Sequence, residues 1–389
     1  MTERLFDTDS YLWEFDARVL SCTATDGGFA VVTDATAFSP EGGGQASDLG
    51  TLGGAEVRDV RTAEGIITHF TDRPLAVGAT VHGSLDAARR LRHMQNHSGE
   101  HIVTGIFHNE YGMNNVGFHL GHEDVTLDLD GTVDQAALRR AEYEANRIVA
   151  ENRHVRAWYP TPKEREALSY RSKKEIDGAV RLVEIENHDI CACCAPHVRQ
   201  TGEIGGIKLI SAVRYKGGTR IHMKCGFDAI DEANVQYDRV CEISRLLSLP
   251  GERIVEGVKK LSDDLAAAKR QIAVLRRERL EQTANGIGTD EKNVCLFLSD
   301  ADMGELRMLA ETVVRKTGGR CAVFSGRDAD GYGFVLCDMN GDFDTVAAEL
   351  RRDLGASGGG KAPFLQGRLR AEKERILRFF NRFGDTQTE

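Results

Sequence analysis

The chain has 389 residues, 41% of them hydrophobic, with 50 Lys and Arg against 60 Asp and Glu for a formal net charge of −10. No apolar run approaches the roughly 18 residues that span a bilayer, and the charged start Met1-Thr2-Glu3-Arg4 is not a signal peptide, so a cytoplasmic protein without membrane contact is expected. The acidic balance excludes indiscriminate nucleic-acid binding, which needs an extended basic surface, and nine cysteines, an odd number scattered partly through apolar segments such as residues 293–298, read as ligands and core residues rather than a disulfide framework.

Residues 1–85 show short alternating apolar segments separated by Gly and Asp turns, which predicts an all-β start in the form of a small barrel. Within it, Ser39-Pro40-Glu41-Gly42-Gly43-Gly44-Gln45 carries three successive glycines that let backbone approach a ligand closely. The same segment can be a tight hairpin turn, and without a following Lys-Ser/Thr it is not a Walker loop. Residues 86–240 mix helical and strand patterns, an α+β unit. Asp86 is the N-cap of a helix whose apolar face continues through Ile102, Val103, Ile106 and Phe107 to a stop near Gly112. Over 241–285, Ile254, Val258, Leu261, Leu265, Ala268, Ile272 and Leu275 alternate spacings of four and three, the seam of a coiled-coil linker. So short a seam must pair with a neighbouring helix, such as one including Val240 to Leu247, or with a second subunit. Residues 286–389 read as a new α/β domain.

Two motifs carry the chemistry. His97 and His101 stand one turn apart on the predicted helix, so both imidazoles can reach one ion. Cys193 and His197, also four apart, flank Pro196 in a segment that suits a turn. A lone HxxxH is more often two hydrogen-bonded histidines, but the downstream CxxxH completes a shell. Three imidazoles and one thiolate favour Zn²⁺, one per chain. Cys191-x-x-Cys194 is itself a ligand spacing, so either thiol could substitute. Glu100, beside His101, is a candidate catalytic base or a solvated surface residue. His97-x-x-Glu100-His101 also spells the inverzincin peptidase pattern, whose third ligand is a distant Glu. Arg214, Lys216 and Arg220, around a Gly-Gly turn, form a compact basic cluster of the kind that contacts phosphates, or a solvated face.

The stretches at 34–50 (DATAFSPEGGGQASDLG), 92–107 (RHMQNHSGEHIVTGIF), 116–130 (VGFHLGHEDVTLDLD) and 193–209 (CCAPHVRQTGEIGGIKL) resemble, in order, the editing domain of alanyl-tRNA synthetases and their freestanding AlaX-type relatives. The segment 355–369 (GASGGGKAPFLQGRL) resembles their C-terminal DHHA1-type domain, giving the two-part layout of the long AlaX form over nearly the whole chain. The resemblance implies an α+β protein: barrel, zinc-containing editing core, helical linker and C-terminal α/β domain. It implies a trans-editing hydrolase that deacylates Ser-tRNA(Ala), and Gly-tRNA(Ala) as a second substrate, by zinc-dependent ester hydrolysis. A zinc-bound water with its pKa lowered toward about 7 is one nucleophile, although four protein ligands would fill a tetrahedron. The chain has no room for an aminoacylation core, so ligation is not expected.

A pocket that admits serine cannot exclude the smaller alanine by size, so rejection must be polar. Thr36, in the segment matching the family's Asp-x-Thr, is the candidate reader of the seryl hydroxyl. Gly42, Gly43, Gly44 and Gln45 are expected to border the substrate, while Gly358, Gly359, Gly360, Lys361 and Gln366 match a signature associated with tRNA binding. One departure stands out: the family often has Cys-Gly-Gly-Thr-His where this chain has Cys193-Cys194-Ala195-Pro196-His197. A homodimer through the coiled coil or C-terminal domain, and a non-catalytic zinc-stabilised tRNA-binding module, are the remaining expectations.

Overall fold

The computed structural model describes residues 1–121, 125–172, 178–339, 341 and 343–382, so positions 122–124 of the stretch 116–130 lie outside the described residues. The chain divides into two compact units, Met1–Ile243 and Ser244–Glu389.

In the first unit the strands Glu14–Thr25, Gly28–Thr33, Ile66–Thr71, Ala55–Ala63, Gly50–Leu52 and Thr80–Leu85 hydrogen-bond in that order and close on themselves. Alternation along Glu14–Val19 sends Phe15, Ala17 and Val19 inward, where they meet Val31, Phe38, Leu52 and Ile67 in one apolar cluster. Directly after the last of these strands comes the helix Ala87–Tyr111. Asp86 caps it by accepting from the Arg89 amide, and Gly112, at φ 65°, closes it in the left-handed conformation. This helix is buried all round from His93 to Phe107, so each polar side chain along that stretch must find a partner inside the protein. It shares a core with the helix Gln135–Ala150 and with a four-stranded antiparallel sheet ordered Ile207–Tyr215, Gly218–Cys225, Val125–Leu129, Asn115–Leu120. Gly99 makes the close approach possible: a Cβ there would lie 2.4 Å from Cys225 Sγ. A smaller sheet, Val155–Trp158, Leu182–Ile185 and Asp189–Ala192, leads into the segment that carries Cys193 and His197.

Residues 1–85 and 86–240 belong to one compact unit, because Arg90 on the long helix forms a buried ion pair with Asp48 in the loop before Gly50–Leu52. The expected boundary at 240 falls inside the helix Phe227–Leu247.

The second unit holds the helix Ile254–Asn285 and a five-stranded sheet ordered Asn293–Leu298, Arg320–Arg327, Gly331–Asp338, Phe364–Leu369, Ser357–Lys361. Its first pair is parallel and the rest antiparallel, with the helices Met303–Thr317, Phe343–Leu354 and Lys373–Asn381 completing the unit. Leu280 and Ala284 of the long helix bury against the Met303–Thr317 helix. Further up, Leu261, Leu265 and Leu275 of the heptad seam are 61%, 55% and 56% exposed.

Candidate metal centre

The helix and the segment after Asp189–Ala192 bring His97, His101, Cys193 and His197 together, with one donor atom from each lying within 4.8 Å of all the others. Cys193 Sγ is 3.6 Å from His97 Nε2 and 3.3 Å from His197 Nε2. Bonds of about 2.0–2.3 Å to a tetrahedral Zn²⁺ would put donor atoms about 3.3–3.8 Å apart, so the donor set and these two separations fit that ion. Two of the remaining ring nitrogens, on His97 and His197, are held. Gln45 Oε1 lies 2.8 Å from His97 Nδ1, and Ser98 Oγ lies 2.9 Å from His197 Nδ1. An Nδ1–H donated to oxygen in each case leaves the Nε2 lone pair directed at the cluster, the usual arrangement for ligating imidazoles. Burial pushes the Cys193 thiol up to about 12 and the His197 imidazole well below its ordinary range, whereas a divalent cation would favour thiolate and neutral imidazole here.

Three of the four, His97, His101 and Cys193, form one wall of a cavity of about 580 Å³ that Glu100, Asn115, Phe118, Gly43 and Gly44 also line. Glu100 is not the solvated surface residue that its place in the sequence allows. It is 2% exposed, accepts a hydrogen bond from Asn115 Nδ2, and holds Oε2 3.8 Å from His101 Nε2. A buried carboxylate beside the donor cluster can take up a proton from a reacting group.

The other residues singled out in the sequence fall in varied places. Gly43 and Gly44 line the cavity, but Gly42 does not. Gly42 instead bridges to Gln45 across a turn. Gly44, at φ +87°, packs so tightly on the neighbouring strand that a Cβ would lie 2.2 Å from Phe118 O. Gln45 serves His97 rather than the cavity, because the turn aims its amide back at the helix. Thr36 is fully buried and does not line the cavity. Its Oγ1 accepts from the Phe38 amide and lies 2.8 Å from His69 Nε2, while His69 Nδ1 faces the Val31 carbonyl. A carbonyl can only accept, so Nδ1 carries the proton of the neutral ring and Thr36 donates to Nε2. Its hydroxyl proton is therefore committed within the barrel.

Arg220 is likewise committed, with Nε and Nη2 each 2.7 Å from the Asp128 carboxylate and its guanidinium 3.7 Å from the Tyr215 ring centroid. Arg214 and Lys216 are exposed near the hairpin tip, with Lys216 Nζ 5.1 Å from the Tyr215 ring centroid. Gly358, Gly359, Gly360 and Lys361 form an exposed edge strand rather than a loop, antiparallel to the strand that carries the exposed Gln366. Gly358, at φ +148°, has no room for a Cβ, which would lie 2.2 Å from Gln366 O. Cys191 is buried and Cys194 exposed, and neither belongs to the donor cluster. Ser98 and Asn115 carried no sequence signal, since their roles depend on which elements meet.

With this geometry in place, comparison with known proteins shows what the chain is similar to. Residues 180–222 match the family described as the threonyl and alanyl tRNA synthetase second additional domain. Over nearly its whole length the chain is also similar to alanine–tRNA ligases. It is 30% identical to the alanine–tRNA ligase of Ignicoccus hospitalis over 377 residues, covering 92% of this chain and 40% of that protein. The Pyrococcus abyssi ligase is 30% identical over 387 residues, with 95% and 42% covered. The Halobacterium salinarum ligase is 32% identical over 393 residues, with 94% and 42% covered. The chain thus spans about 40% of the length of these relatives. Among the described residues no helix is long and apolar enough to cross a membrane.

Proposed function

We propose that this protein is a zinc-dependent hydrolase that clears serine, and secondarily glycine, from mischarged tRNA(Ala) in the cytoplasm. The observation that carries the reading is the gathering of His97, His101, Cys193 and His197 beside a cavity whose wall includes the first three of them and the buried Glu100. The four residues would hold one Zn²⁺ per chain, which when bound supplies Lewis acidity toward an ester carbonyl and lowers the pKa of water. Glu100, oriented by Asn115, takes the proton from the attacking water. Gln45 and Ser98 fix the rings of His97 and His197. Gly43 and Gly44 give the aminoacyl group a wall without side chains. Because the Thr36 proton is donated to His69, polar discrimination between serine and alanine falls to groups that line the cavity rather than to Thr36.

Charged tRNA would be held by Arg214 and Lys216 and, in the second unit, by the edge strand of Lys361 together with Gln366, as in a DHHA1-type domain. The exposed seam of Ile254–Asn285 would pair with a second copy, which sedentary monomers in analytical ultracentrifugation would contradict. The inverzincin reading gains no support, since the donor group that gathers among the described residues contains no carboxylate.

The hydrolase is distinguished from a tRNA-binding module with structural zinc by chelation. A chelated protein that keeps its circular dichroism but loses deacylation, recovering it with added zinc, supports catalysis. Loss of fold together with metal favours the structural role. We propose further that the chain acts on tRNA charged elsewhere. Alanine-dependent exchange of pyrophosphate into ATP would instead make it part of a ligase.

A further inference from the structure

The segment that supplies Cys193 and His197 has an unusual backbone problem. A β-turn beginning at a residue is commonly closed by the amide three positions later donating to that residue's carbonyl. Three positions after Cys193 stands Pro196, which has no N–H. The Cys193 carbonyl therefore cannot be satisfied in this way, and it lies beside the donor cluster in a part of the chain where Ala195, Pro196 and His197 are all buried.

The missing donor comes from Arg181. Its Nη1 donates to Cys193 O at 3.1 Å and to Ala195 O at 2.9 Å, and its own carbonyl accepts from the Cys193 amide at 3.0 Å. The Arg181 side chain is only 3% exposed, so its charge needs compensation. That comes from Asp7, whose Oδ1 lies 3.4 Å from Arg181 Nε and whose Oδ2 accepts from the Tyr159 hydroxyl at 2.9 Å. Asp7, on the short helix Leu5–Thr8, thus reaches the ligand segment through one guanidinium.

We propose that Arg181, backed by Asp7, is a positioning residue for the metal ligands: it satisfies the buried carbonyls of the ligand segment, where Pro196 offers no N–H, and holds Cys193 and His197 in ligating register. This rests on the zinc reading of the site. Arg181 sits at the cavity wall, with Nη1 turned to the loop carbonyls and Nε to Asp7. Arg is suited to this task because the two N–H groups of Nη1 can serve both carbonyls while Nε, on the same rigid plane, faces the carboxylate.

The test is zinc affinity by chelator competition, together with the thiolate-to-metal absorption of the cobalt-substituted protein, on purified full-length variants. Arg181→Met is expected to weaken zinc binding by about 10–100-fold and to diminish the thiolate band, as loss of outer supporting groups does at other metal sites. Loss of zinc affinity and of the thiolate band with the unfolding midpoint of the metal-free protein unchanged is an outcome that a merely structural role for Arg181 would not produce. Should Arg181→Met fail to fold, Arg181→Lys and Asp7→Asn decide, and both are expected to weaken zinc in the same direction. Wild-type protein that binds no zinc would overturn the zinc reading itself. Wild type that binds zinc, with folded variants matching it within about threefold in affinity and retaining its cobalt spectrum, would overturn this inference alone.

Discussion

Replacing Arg90 by Met tests the ion pair that joins the barrel to the metal helix. Arg90 places Nε 3.0 Å from both Asp48 oxygens and Nη2 2.5 Å from Oδ2. It also donates to the carbonyls of Ala37 at 2.6 Å and Ser10 at 3.1 Å. The Arg90 and Asp48 side chains are 0% and 2% exposed. Met fills similar space but leaves a buried carboxylate whose remaining support is the Ser39 amide at 2.6 Å. Breaking a buried pair from one side costs about 3–5 kcal/mol. For a unit of this size each kcal/mol lowers the midpoint by about 2–4 °C, which puts the expected fall at about 6–20 °C. Adding Asp48→Leu removes the stranded charge, so the double variant should be more stable than the sum of the single effects predicts, by about 2 kcal/mol. Both tryptophans, Trp13 and Trp158, lie in the first unit, so urea unfolding followed by tryptophan fluorescence reports this unit. A single variant within about 1 kcal/mol of wild type, or strictly additive effects, would refute the reasoning.

Three further outcomes are expected. Gln45→Leu leaves His97 Nδ1 without its acceptor, so the zinc dissociation constant should rise by about 10–100-fold; unchanged affinity in a competition titration contradicts the assigned orientation. Glu100→Gln should slow deacylation by about 100-fold or more with zinc content unchanged, and a loss below about threefold in single-turnover assays removes Glu100 from proton transfer. Burial lowers the His69 pKa from 6.5 to about 4, so between those values the unfolded imidazole takes a proton that the folded one refuses. The stability that this group contributes is complete above 6.5 and is lost as pH falls toward 4, by about 3 kcal/mol at the limit. Wild type should therefore lose more stability than His69→Gln between pH 7 and pH 5, and parallel losses in denaturant titrations would contradict the assignment.

Local signals were legible in the sequence where one element determines the outcome. Asp86 and Gly112 bound the long helix because capping chemistry is local, and the four-residue spacing of His97 and His101 sets their common face. Side-chain orientations fixed by distant partners were not legible. The reach of Gln45 to His97 depends on the Gly42–Gln45 turn lying against the helix, and the capture of Arg220 depends on the register that sets Asp128 opposite it. Thr36 turns toward His69 because neighbouring barrel strands bring that ring to it. Glu100 becomes buried because the helix is enclosed on every side, whereas an amphipathic reading leaves one face wet. The signature glycines at 358–360 form an edge strand, which the sequence match did not specify, and at least Gly358 is required by its backbone.

The most direct measurement is release of labelled serine from Ser-tRNA(Ala), beside alanine from Ala-tRNA(Ala), by zinc-loaded wild type and by Cys193→Ala at matched concentration with folding verified by circular dichroism. The account predicts rapid serine release with alanine spared, abolished in the folded variant. Serine release no faster than the uncatalysed background by zinc-loaded wild type would contradict it.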